Sequence, residues 1–183
     1  MAEFNSSVEY VLKNEGDLVD HPHDKGGITN RGISFNFLKS ISHQKMAFYG
    51  LAYTNGEELR KLIKDMSLET AKKVYKGEFW DDYFFKNIHY QSICNYFFDM
   101  SVSHGIQQAT KIVQRALWAC NVNRANLIDD GIFGLNTLAT INAYEEYLLF
   151  TMHAERAGFY RLIVAKDSSQ EVFLNGWLNR CYK

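Results

Sequence analysis

Between Asp17 and Ile33 the chain carries its single proline, Pro22, with Gly26-Gly27 and Gly32 set among Asp, His, Thr and Asn. Glycine reaches positive φ without a steric penalty, and Asp and Asn bond their own backbone, so this stretch predicts turns and a short β-hairpin. The segments on either side run with helical period instead. Residues 4–14 put Val8, Val11 and Leu12 at helical spacing and stop against Glu15-Gly16, which places Glu15 at a helix C-terminus. Further helices are predicted over 57–64, over 68–79 with Ser67 as N-cap, over 88–101 and over 106–119 with Gly105 between them. A loop rich in Asn and Asp follows over 121–134, then helices over 136–147, 148–164 and 170–182.

No linker rich in Gly, Ser or Pro divides these pieces. A chain of 183 residues with 46% hydrophobic and 22% charged residues has the makings of a folded domain with a sizeable core. Its 20 basic and 21 acidic residues leave a formal charge of -1, so there is no basic surplus to hold a nucleic acid. Charged or polar residues interrupt every apolar stretch short of the ~20 needed to cross a bilayer. None of the helices is conspicuously cationic, so no stable membrane association is expected, and a monomer is expected. The opening Met1-Ala-Glu-Phe-Asn-Ser-Ser lacks the basic start and apolar run of a secretory signal, which reads as synthesis and folding in the cytosol. Cys94, Cys120 and Cys181 are odd in number, without a Cys-x-x-Cys pair, and read as buried or idle thiols. His21 and His23 alternate around a turn, and Asp129-Asp130-Gly131 lacks the ligand alternation and closing glutamate of a calcium loop. Neither a metal nor any other cofactor is expected.

The turn-rich stretch also carries a candidate chemistry. Glu15 at a helix end, Asp24 nine residues later in a turn and Thr29 five further on can converge when the hairpin folds. Glycoside hydrolysis needs a protonated acid at the leaving oxygen and usually a second carboxylate to activate water or steady an oxocarbenium-like transition state. Partial burial against helical apolar surface would raise the pKa of Glu15, whereas Asp24 in a polar turn would stay ionised. Thr29 would hold the attacking water, and Gly27 would leave a floor free of side chains beneath a sugar ring. Spacing alone also fits a solvated carboxylate at Glu15 and turn-forming roles for Asp24 and Thr29. Trp80, Tyr83 and Trp177 read either as core or as rings stacking on saccharide.

Asn14-Glu15-Gly16, Pro22, Asp24, Gly26-Gly27, Thr29 and Gly32-Ile33-Ser34 together resemble the opening motif of glycoside hydrolase family 108, N-acetylmuramidases that cut the peptidoglycan glycan strand. The Glu15, Asp24 and Thr29 order is also similar to that of phage-type lysozymes, whose last gap is usually one residue longer. Val74-Tyr-Lys-Gly-Glu-Phe-Trp80-Asp81 resembles the block closing the family's N-terminal region. Phe98-Asp99 to Gly105, Val113 to Leu117, Asp130-Gly131-Ile-Phe-Gly134-Leu-Asn-Thr137 and Gly176 to Arg180 resemble the predicted peptidoglycan domain that accompanies it. The chain departs from the family at Asp17, where a second glycine is usual, and at His21, where an acidic residue is usual.

The resemblance implies a mainly α, lysozyme-like fold of two lobes with a short β-hairpin region after the first helix. Residues 1–90 would form the hydrolase region and residues 91–183 the helical peptidoglycan region, packed as one unit. It implies cleavage of the β-1,4 bond between N-acetylmuramic acid and N-acetylglucosamine, with Glu15 as acid and Asp24 and Thr29 as its helpers. Gly27, Ser101 and His104 would contact the glycan strand, the latter two from across a lysozyme-like cleft. A phage endolysin released by a holin is the expected setting, with a bacterial wall-lytic effector, a lytic transglycosylase or a non-catalytic wall-binding module as alternatives.

Overall fold

In the computed structural model, which describes residues 1–14, 18, 20 and 27–182, the first helix, α1 (Phe4–Asn14), fully buries Val8 and Val11. The fold is mainly α and lysozyme-like, and its hairpin follows α1 as the turn-rich stretch predicts. By contacts the chain divides into two compact units, one of Val8–Asp82 and one of Met1–Ser7 with Tyr83–Lys183.

In the first unit a two-stranded antiparallel hairpin, β1 (Thr29–Asn30) and β2 (Ile33–Ser34), precedes α2 (Phe35–Ser40), α3 (His43–Phe48), α4 (Gly56–Lys64) and α5 (Leu68–Tyr75). Each of these four helices starts at a polar side chain that accepts an orphan backbone N–H. Ser34 accepts from Phe37, Ser42 from Lys45, Asn55 from Glu57 and Glu58, and Ser67 from Thr70. Beneath them Ile28, Ile33, Leu38, Met46, Leu59, Ile63, Val74 and Tyr75 are buried. Burial of each such side chain is worth ~1.5–3 kcal/mol, enough for helices as short as α2 and α3 to persist on packing rather than propensity.

In the second unit α6 (Gln91–His104) and α7 (Ile106–Ala119) meet at Gly105, whose φ of +76° only glycine adopts freely. Both pack against the long α9 (Glu145–Lys166), which α8 (Leu135–Ala143) precedes and α10 (Glu171–Cys181) covers. Phe85, Phe97, Phe98 and Phe133 form an aromatic core, with the Phe85 ring 5.2–5.3 Å from the other three. Cys94 and Cys181 are buried and Cys120 is half-buried, and all three are free. Burial pushes the Cys94 thiol up to about 12, so it stays protonated.

Several elements differ from the sequence expectation. The helix expected over 68–79 stops at Tyr75, and Lys76–Trp80 widen into a π turn. That turn brings Glu78 to the phenol of Tyr49, and Gly77 lies so close beneath the phenol that a Cβ there would collide with it. Helix α6 begins at Gln91 rather than Ile88, because Ile88 is extended and its carbonyl accepts the Ala2 N–H at 2.9 Å. The single helix expected over 136–147 breaks at Tyr144 (φ -125°, ψ 69°), and α9 starts after it. Helices α2 and α3 were not expected at all. Among the described residues no helix is long and apolar enough to cross a membrane.

Candidate active site

Arg31 (φ 52°) and Gly32 (φ 76°) turn the hairpin, the φ signature of a type I′ turn that matches strand twist. Arg31 holds this left-handed conformation without glycine's freedom, and its surroundings keep it there. The Tyr75 hydroxyl donates to the Arg31 carbonyl at 2.8 Å, and Arg31 Nε donates to the Met66 carbonyl at 3.3 Å. Buried Asn30 donates from Nδ2 to the carbonyls of Ile63 (2.8 Å) and Lys64 (3.2 Å), two of the orphan acceptors at the end of α4. Three side chains thus fasten the hairpin to α4, α5 and the residues between.

Thr29 opens β1 opposite Ser34 and is half-buried. Its hydroxyl donates to the Gly27 carbonyl at 3.2 Å, which points the oxygen lone pairs away from that bond and makes Thr29 an acceptor for a further O–H. Gly27 has φ +72° and lies against Phe35, where an added Cβ would come within 3.2 Å of the Phe35 Cβ. The close approach and the positive φ together require glycine at this position.

Glu15 and Asp24 lie outside the described residues, as do His21, Pro22, His23 and Gly26. Between them Asp20 pairs with Arg60 at 3.4 Å and Lys64 at 3.2 Å on α4. These half-exposed pairs contribute at most ~1 kcal/mol, but they set one point of the segment against the helix that the hairpin also grips.

Ser101 and His104 belong to the other unit. Ser101 is buried within α6 and its hydroxyl donates to the Phe97 carbonyl at 2.9 Å. His104 lies 3.2 Å from the Tyr160 hydroxyl through Nε2, with its ring 5.1 Å from that of Phe159. Burial first, and then the charge of Arg156, lower its pKa to about 3, so the imidazole is neutral near neutral pH. Trp80 is buried, whereas Trp177 is half-buried and stacks on Tyr160 at 4.9 Å. Among the described residues no group of three or more His, Cys, Asp or Glu side chains is placed to hold a metal ion.

Sequence reasoning missed a further carboxylate in the first unit. Glu78 accepts the Tyr49 hydroxyl at 2.6 Å and pairs with Lys45 at 3.1 Å. Burial, then the bond to Glu78, pushes the Tyr49 phenol above its ordinary pKa. The available signal was Gly77-Glu78 within the Val74–Asp81 block, a glycine inside a helical run. Asn30, Arg31 and Tyr75 were also missed as braces, since side-chain bonds over 33 to 44 residues leave no local pattern.

Residues 8–105 match the family described as Glycosyl hydrolase 108, and residues 108–182 match the one described as Predicted Peptidoglycan domain. No curated protein matches the chain. Among solved structures, that of Brucella abortus SagA aligns with a TM-score of 0.69 at 22% identity, covering 98% of this chain and 89% of that one. At that identity the likeness is one of fold. The hydrolase match covers more than half of the chain and includes the whole hairpin with its braces, so the chain belongs to the glycosyl hydrolase 108 family.

Proposed function

We propose that this protein is a muramidase that hydrolyses the β-1,4 bond between N-acetylmuramic acid and N-acetylglucosamine in peptidoglycan. The observation that carries the reading is the family match over residues 8–105, a span that holds Glu15, Asp24 and Thr29 in order. The predicted peptidoglycan domain over 108–182 supports the same polymer as substrate.

Glu15 protonates the glycosidic oxygen, the C1–O bond breaks as the leaving sugar takes that proton, and positive charge develops on the ring left behind. Asp24 steadies that charge or takes the proton of the water that then adds to C1. Thr29, with its own proton donated to the Gly27 carbonyl, accepts a hydrogen bond from this water and orients it. Gly27 keeps the floor beneath the sugar free of a side chain.

The test is Glu15→Gln on purified peptidoglycan. The variant should keep the parent's fold by circular dichroism and lose release of reducing ends by at least ~100-fold, in line with the contribution of a general acid. A folded, active Glu15→Gln protein would end this assignment. Binding to sacculi by the parent without any release of reducing ends would instead favour a wall-binding module.

A further inference from the structure

The second unit contains a cavity of about 400 Å³ between the end of α6, α9, α10 and the short turn Ser168–Gln170 before α10. Three aromatic side chains line it, Phe159 and Tyr160 from α9 and Trp177 from α10. The rings of Tyr160, Trp177 and Phe173 form a stacked row, with Tyr160 4.9 Å and Phe173 5.7 Å from Trp177. The polar residues beside them are Ser103, His104, Gln170 and Arg180.

Arg180 and His104 are held by side chains of neighbouring helices. Arg180 donates to Asp99 through Nη2 at 2.7 Å and Nε at 3.3 Å, and Asp99 in turn accepts from fully buried Arg156 at 2.8 Å. The Tyr160 hydroxyl meets His104 Nε2 at 3.2 Å. The cavity therefore presents ring surface together with a neutral imidazole, an amide and a guanidinium whose orientation Asp99 sets. A concavity that offers polar and apolar surface in nearly equal measure suits an amphiphilic ligand, and pyranose rings offer C–H faces to aromatics while their hydroxyl and acetamide groups take the hydrogen bonds.

Building on the reading of the chain as a peptidoglycan hydrolase, we infer that this cavity is a glycan-binding site that holds an N-acetylhexosamine residue of the peptidoglycan strand. The occupant follows from two observations. Phe159, Tyr160, Gln170, Trp177 and Arg180 all fall within the match to the predicted peptidoglycan domain. The cation at the cavity is engaged by Asp99, so an uncharged sugar fits better than the carboxylates of the stem peptide.

The experiment uses the full-length Glu15→Gln chain, so that binding is read without hydrolysis. Titration with a peptide-free N-acetylglucosamine tetramer should shift the indole N–H resonance of Trp177 and leave that of Trp118 in place. Gln170→Trp, which fills the cavity mouth from the turn, should weaken co-sedimentation with sacculi at least 5-fold at an unchanged melting temperature. Trp177→Phe, which keeps a ring against Tyr160, should weaken it in the same sense. An unmoved Trp177 resonance, a shift produced only by a muramyl peptide, or full sacculus binding by folded Gln170→Trp and Trp177→Phe proteins would overturn the inference. Those outcomes leave the hydrolase reading standing, because that reading fails on a different observation, the absence of new reducing ends from the wild-type chain.

Discussion

Thr29 is the described residue to which the proposed mechanism assigns a part in the chemistry. Its hydroxyl is committed to the Gly27 carbonyl as donor, so the part proposed for it is that of an acceptor for water. Thr29→Val keeps the shape and removes the oxygen, and should lower hydrolysis by ~100-fold, the lower end of what a group managing proton transfer supplies. Thr29→Ser should retain most of the activity. Steady-state release of reducing ends measures both, and equal activity in the Val variant would remove Thr29 from the mechanism. His104 makes a prediction in pH. Its folded pKa is depressed from 6.5 to about 3, so as pH falls below 6.5 the unfolded chain takes up a proton that the folded chain refuses. Stability from this group is present above pH 6.5 and is lost as pH falls toward 3. The melting temperature of His104→Gln should therefore fall less than the parent's between pH 7 and pH 4, and parallel curves would contradict the burial. The motif at this scale was legible as a string, because Gly27, Thr29 and Gly32 carry their turn chemistry in their own identity. The grip of Asn30 on the end of α4 was not legible, since nothing near Asn30 in the sequence names its partner.

At the scale of elements, helical period located α1, α4, α7, α9 and α10 to within a few residues, because each buries one face over two turns or more. Helices α2 and α3, six residues each, are too short to display a period, and their only local signals were Ser34 and Ser42 as N-caps. The break at Tyr144 was invisible for the opposite reason, since helical spacing runs straight through it. The π turn after α5 offers the sharpest test. Gly77→Ala drives a methyl group into the Tyr49 phenol and should cost ~1–3 kcal/mol, as overpacking usually does. Tyr49→Phe removes the colliding oxygen along with the bond to Glu78, so Gly77→Ala should cost less in that background than alone. A double-mutant cycle by urea denaturation measures the difference, and simple additivity would mean that the turn is not shaped by this contact.

At the scale of the whole molecule, the two units rest on different kinds of core. The Val8–Asp82 unit is mostly aliphatic beneath capped short helices, whereas the larger unit contains the buried Asp99 carboxylate between Arg156 and Arg180. Burial works against the charge on Arg156, and the Asp99 carboxylate more than offsets it, which keeps the guanidinium protonated. Asp99→Asn leaves that charge uncompensated and should cost ~3–5 kcal/mol, a large share of the stability of a domain this size. Thermal denaturation checks it, and a variant as stable as the parent would show that the pair is not a keystone of this unit. For the whole chain, the identity of the sugar at each newly formed chain end tests the account most directly. Mass spectrometry of fragments released from purified peptidoglycan should find N-acetylmuramic acid at the new reducing ends with the wild-type protein and none with Glu15→Gln. N-acetylglucosamine at those ends, or an anhydro sugar in place of a reducing one, would contradict it.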